Sequence, residues 1–288
     1  MYFGNKLRIA VWVVSCVTGI AIAFIPFYLG LYVPQLPYLV PLNQKSNNTM
    51  ALGIIIALTP PAIVEFSNYR WSKQVDNNVP RLLRDISEGV RSGVTLPKAL
   101  EEASQRNYGP ISKELEHAFS LFYLGENWQN SLNSLAKRLK RPSVHRLSII
   151  LTEAHQTGGK IIEVLDTSVN ILQSLDEHKE EQNNNMRPYI TTMYMAIIIF
   201  LIISRVVLNQ FLAPICQMSN NASMTEVGFM TNALSIDYYT SILFWASNIE
   251  SIFGGLIAGK MGEKSLSAGL FHSVILMILT LIVFNVAM

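Results

Sequence analysis

The chain is poor in the residues from which most enzyme centres are built. Its 288 residues include two cysteines and five histidines. Cys16 lies inside an apolar run and Cys216 follows another, which gives neither a disulfide framework nor a metal-ligand spacing. His117, His145, His155, His178 and His272 are scattered without an HExxH or other paired-ligand pattern, so no metal and no cofactor is expected. A convergent Ser, His and Asp set is missing as well, and the chain is read as not enzymatic. Charge is scarce: 15% of residues are charged against 50% hydrophobic, and a formal net charge of +2 does not suggest nucleic acid as a partner. Strand-like alternation of useful length is also absent, so an all-α fold is expected.

What the chain has in quantity is uninterrupted apolar sequence. Its mean hydropathy of +0.30 is that of a membrane protein. Ile9 to Val33 runs for 25 positions without a charged residue, enough for about 37 Å of helix. Ala21, Ile22 and Ala23 imitate a signal-peptidase site, but the run continues past them and predicts an uncleaved anchor. Thr49 to Phe66 is short and carries Pro60 and Pro61, so a kinked crossing and a re-entrant segment both fit. Tyr189 to Ala213, Tyr239 to Ala258 and Leu266 to Val286 complete a set of five segments. The expected division is a membrane region over 1–66, a polar helical domain over 67–188 and a second membrane region over 189–288.

The basic residues orient these segments. Lys6 and Arg8, Arg70 and Lys73, Lys179 and Arg187, and Lys260 with Lys264 all belong inside by the positive-inside rule. The opposite loops, Pro34 to Asn48 and Pro214 to Tyr238, hold Lys45 as their one basic residue. A multi-pass protein of the cell membrane is expected, with its amino terminus and central domain cytoplasmic and its carboxyl terminus external. The alternation works if the proline-broken second segment crosses.

Between Val79 and Gln182 apolar residues recur at helical spacing, and breakers cut the pattern into six pieces. Leu83, Ile86 and Val90 are opened by Pro80 and closed by Gly93; Leu96, Ala99, Leu100 and Ala103 follow with Pro97 in their first turn. Ile111 to Phe122 stops at Gly125, and Trp128 to Leu139 starts after Asn127, a favoured N-cap. Val144 to Ala154 begins past Pro142, and Ile161 to Leu175 runs on to a polar hinge at Gln182 to Asn185. Gly93 and Gly125 hint at a repeated hairpin of about 32 residues, but the tetratricopeptide signature is missing, and a closed six-helix bundle is favoured.

The quartet Thr157, Gly158, Gly159, Lys160 imitates a phosphate loop and fails as one. Ala154 stands where the first glycine belongs, Ile161 follows the lysine, and the upstream segment is helical rather than a strand. Glycine closing one helix before the next is the reading preferred.

The order of these pieces resembles a known family. Two membrane segments, a bundle containing GVTLPKALEEA (Gly93 to Ala103) and GENWQNSLNSLAKRL (Gly125 to Leu139), then TGGKIIEVLDTSVNIL (Thr157 to Leu172) and further membrane helices are similar to the F-domain platform proteins of type II secretion and type IV pilus systems. The tail ESIFGGLIAGKMGEKSLSAGLFH (Glu250 to His272) resembles the archaeal archaellum and adhesion-pilus branch, and the length resembles the tight-adherence platform subunits. The resemblance implies a non-enzymatic platform that couples a cytoplasmic ATPase to insertion of pilin-like subunits. A single bundle, where longer members carry two, implies pairing with itself or with a paralogous platform subunit. A membrane receptor or scaffold with a helical domain is the competing reading. A secondary transporter would need more buried polar groups and an inverted repeat.

Three sets of residues are candidates for function. Lys137, Arg138, Lys140, Arg141 and Arg146 are expected to face anionic lipid or the ATPase, or simply to cap a solvated helix end. Arg205 and Glu250 are expected to pair within the membrane, since an unpaired arginine near mid-helix costs roughly 2.5 to 3.5 kcal/mol. Gly93, Gly125, Gly158 and Gly159 are expected at helix corners, and Gly255 with Gly259 at a close helix contact, within the monomer or with a subunit or filament.

Overall fold

The structure, a computed structural model, describes residues 3–32, 40–215 and 236–286. Cys216, the end of the first apolar segment at Val33, residues 34–39 of the first expected external loop and most of the second loop lie outside the described residues. The described residues are helical and hold no strand: α1 (Asn5–Ala23), α2 (Ile25–Tyr28), α3 (Gln44–Arg91), α4 (Leu96–Ser104), α5 (Ser112–Tyr123), α6 (Trp128–Leu139), α7 (Pro142–Thr157), α8 (Ile161–Val206), α9 (Ile236–Glu263) and α10 (Leu266–Val286). Five spans are long and apolar enough to cross a membrane. Two compact units form: Met1–Phe3 with Ser67–Asn184, and Gly4–Phe66 with Asn185–Met288.

The first unit gathers α4 to α7 with parts of α3 and α8 around one apolar core. Val79, Leu82, Leu83, Ile86, Leu115, Leu132, Leu135, Leu147, Leu151 and Leu165 are all buried there. Its turns follow local backbone chemistry. Gly93 and Gly125 both stand at φ +96, and each closes its helix with the same bond pair: Gly93 N–H donates to Val90 O and Val94 N–H to Gly89 O, as Gly125 does to Phe122 O and Glu126 to Leu121 O. These are twin Schellman closures. Asn127 caps α6, its side chain accepting from Gln129 N–H at 3.0 Å. Trp128 buries its ring and donates Nε1–H to Leu151 O at 3.1 Å, tying α6 to α7. At the quoted quartet α7 ends at Thr157, a 3-10 turn spans Gly158–Lys160, and α8 begins at Ile161. Gly158 takes the positive φ of +59, whereas Gly159 does not, so the corner role falls on Gly158 alone.

Three expected breaks do not occur. α3 runs unbroken through Pro60, Pro61 and Pro80, and α8 through the polar stretch Gln182 to Asn185 and Pro188. A proline removes one ladder bond, but packing on both sides holds these helices together. Pro61, Ala62 and Glu65 are buried after the first pair, and Val79, Leu82 and Leu83 surround the third. Polar residues by themselves do not stop a helix, and i,i+3 and i,i+4 pairs such as Lys179–Asp176 and Gln173–Glu177 carry α8 toward the stretch. The second apolar segment is therefore one continuous helix, which starts at Gln44 inside the expected external loop. The first apolar segment, in contrast, is broken between Ala23 and Ile25, with Pro26 in the short α2.

In the second unit, small residues set the contacts. A Cβ built on Gly19 would lie 2.4 Å from Ala57 Cβ and 2.6 Å from Gly53 O, so α1 and α3 approach at backbone distance. α9 and α10 do the same: a Cβ on Gly255 would lie 2.3 Å from Ser273 N, and one on Gly259 2.2 Å from Gly269 Cα. Such stripes let apolar helices gain van der Waals contact without a hydrophobic driving force.

Candidate functional site

The basic cluster of the first unit surrounds the α6–α7 turn. Lys140 closes α6 in the left-handed region, φ +50, and donates its N–H to Ala136 O. The turn splits the cluster in two. Arg138 pairs with Glu114 on α5, which pushes the guanidinium pKa up through a direct hydrogen bond. Arg141 pairs with Asp76 on α3, and Ser143 donates to the same carboxylate. These two arginines hold helices together. Lys137, Lys140 and Arg146 are exposed, and no partner is found for them among the described residues.

Two further polar contacts tie the unit across α3. Asp166 on α8 accepts from Ser87 at 2.8 Å and meets Arg91 at 2.6 Å; the Arg91 hydrogen bond, seconded by Ser87, holds its carboxyl below the usual range. Tyr108 is 1% exposed and donates its hydroxyl to Asp85 at 2.5 Å. Arg106 reaches the same carboxylate at 3.2 Å. Burial, then the Asp85 bond, pushes the Tyr108 phenol up to about 12. Among the described residues no three His, Cys, Asp or Glu side chains group to hold a metal ion.

The structure does not join Arg205 to Glu250; Arg205 is exposed and Glu250 half-buried. Side chains on α8 and α9 give the reason. Ile197 Cδ1 lies 3.1 Å from a Cβ built on Gly254, and Ile190 packs at Gly262 in the same way. That antiparallel register sets Arg205 opposite Ala246–Ser247, about one helical turn from Glu250.

Two pairings in this unit escape a reading by segments. Arg8 on α1 donates Nε–H and Nη2–H to Glu65 Oε1 on α3 at 2.9 and 2.5 Å, with the Glu65 side chain only 7% exposed. Each residue sits at the polar end of its apolar run, so a depth count from that side would find the pair. Asn47, fully buried, donates to Pro41 O at 3.0 Å and Ser241 Oγ at 2.7 Å, and accepts from Trp245 Nε1–H at 2.9 Å. Nothing local marks it, because it lies in the stretch read as an external loop.

Comparison with known proteins places these helices. Residues 82–208 match the family model described as Type II secretion system (T2SS), protein F. Over 241 residues, 82% of this chain, the sequence is 24% identical to an uncharacterized protein of Methanocaldococcus jannaschii. The chain spans 38% of that relative's length. No solved structure matches. The matched stretch begins on the core-facing part of α3, takes in the twin glycine turns and the α6–α7 turn, and ends just past α8, in a π-helical segment at Val207–Leu212. Residues 82–208 of this multi-pass membrane protein are therefore a protein F domain of the type II secretion system family.

Proposed function

We propose that the chain is the membrane platform of a type IV pilus-like or type II secretion machine, coupling a cytoplasmic ATPase to insertion of pilin-like subunits. The protein F match over a helical unit, in a chain with five apolar spans, carries this reading. The platform does no chemistry of its own; it is a mechanical intermediary between ATPase and filament. The first unit and the amino terminus lie in the cytoplasm and the carboxyl terminus outside, because the basic residues flank the spans on one side. The working division is 1–66, 67–188 and 189–288, with the middle part meeting the ATPase. Self-association or a paralogous subunit completes the platform, and lipid contacts its membrane helices.

Purification in mild detergent, with co-purifying proteins identified by mass spectrometry, tests the proposal. A secretion-type ATPase and pilin-like subunits are expected. Recovery of the chain with unrelated proteins alone, under conditions that keep other membrane complexes whole, would replace the platform with a receptor or scaffold.

A further inference from the structure

α8 carries two apolar faces in the first unit, and the bundle uses one. Leu165 and Leu172 are buried in the core, whereas Ile171 and Leu175 are 55% and 41% exposed. A shallow groove runs along this second face, from Thr167 past Ile171 and Leu175 to His178. At 100° per residue, Glu177 and Glu181 border it on one edge. Both are exposed, with Glu177 accepting from Gln173 at 3.0 Å and Glu181 lying 3.8 Å from His178, while the neighbouring Asp176 is matched by Lys179 at 2.9 Å.

The same unit bears a patch of opposite charge at the same level. Gln173 accepts from Arg84 at 2.9 Å, so one turn further along the antiparallel α8 Glu177 stands level with Pro80. Arg141 pairs with Asp76, so one turn back along α6 Lys137 also stands level with Pro80. Lys140 and Arg146 lie within a turn of it, all three exposed. Copies inserted in one bilayer point the same way, and a patch on one copy meets the level of its opposite on the next.

We infer that the α8 groove is the seat of a second copy of this chain, whose α6–α7 turn sets Lys137, Lys140 and Arg146 against Glu177 and Glu181 and covers Ile171 and Leu175. The inference rests on the self-association included in the proposed function and names its surface. Apolar burial at the centre supplies the affinity, and the charges at the rim set the register.

The test uses two full-length chains with different tags, co-expressed and captured through one tag in mild detergent. Glu177→Lys with Glu181→Lys on both chains is expected to lower recovery of the second tag by about tenfold or more, because like charges then face each other. Lys137→Glu with Lys140→Glu on both should do the same. One chain with the acidic reversal and one with the basic reversal should pair as the unaltered chains do, which also shows that neither reversal prevents folding. Pairing that survives both single reversals, or loss that the mixed pair does not restore, overturns the inference; the second result would assign the lysines to anionic lipid. The capture needs no ATPase or pilin, so its failure is separate from that of the platform reading.

Discussion

Replacing Gly259 by alanine probes the tightest contact between α9 and α10. The new methyl would lie 2.2 Å from both Cα and N of Gly269 and 2.9 Å from the Ala268 carbonyl carbon. These are backbone atoms of a neighbouring helix, so no rotamer change relieves the clash. The two helices must separate from 2.2 Å toward the 3.4 Å of an ordinary contact. Neighbouring contacts, including Ser251 Oγ to Thr280 Oγ1 at 2.9 Å and Ser273 Oγ to Ile252 O at 2.8 Å, open with them. Overpacking of this kind costs about 1–3 kcal/mol, and stretched interhelical hydrogen bonds in a membrane add about 0.6 kcal/mol each. Gly254 is the control on the same helix, since a Cβ there meets only the flexible Ile197 Cδ1 at 3.1 Å. Thermal unfolding of the purified full-length chain in detergent, followed by far-UV circular dichroism, is the assay. Gly259→Ala should unfold at clearly lower temperature than the parent, and Gly254→Ala close to it. Equal effects of the two substitutions would refute the close-approach argument.

Other expectations follow from named contacts. Gly158→Val should destabilise the full chain by about 1–3 kcal/mol through its positive φ, while Gly159→Val, in open space without that φ, should be near neutral; melting of both variants decides it. Arg8→Met alone should lower stability more than Arg8→Met with Glu65→Leu, because the single change leaves the Glu65 carboxylate buried without its cation; melting of single and double variants in detergent checks the order. Tyr108 keeps its proton to about 12 in the fold, so its contribution to stability is full below the ordinary value of 10 and lost as pH rises from 10 through 12. Ultraviolet titration of the chain against Tyr108→Phe should show the same early rise in both and one phenol missing from the late rise in the variant. Asp166 is depressed in the fold, so its contribution is full above 3.8 and falls away as pH drops below that value. Asp166→Asn should flatten that acid limb of the stability curve.

Turns were the most legible part of the fold. Gly93, Gly125, Gly158 and the Asn127 cap lie where local backbone chemistry alone decides, and the structure uses each one there. Helix continuity was less legible, because Pro60, Pro61 and Pro80 cost the same bond whether or not the flanks are packed, and only tertiary burial tells which happens. The polar stretch before Pro188 misled for a related reason: solvent-facing glutamines and asparagines mark a loop or an exposed helix equally well. Among the candidate residues, the basic cluster was visible as a group, yet its division into the pinned Arg138 and Arg141 and the open Lys137, Lys140 and Arg146 depends on acids far away in the chain. Arg205 and Glu250 were matched by counting from loop ends, which ignores the register that interlocking side chains impose.

The carboxyl-terminal end of α8 passes into a π-helical segment at Val207–Leu212. A π turn amounts to an α-helix that has absorbed an extra residue, so its ladder is a record of length rather than of side-chain chemistry. Removing one residue there would restore the tighter coil and leave everything beyond it on the face it now presents. The position of Leu212, which packs against the cluster containing Leu208 and Phe284, would keep its facing. Composition and hydropathy would hardly register such a deletion. Comparisons between related chains should therefore be aligned across this segment by the face each residue presents, since a gap of one position here leaves both flanks in register.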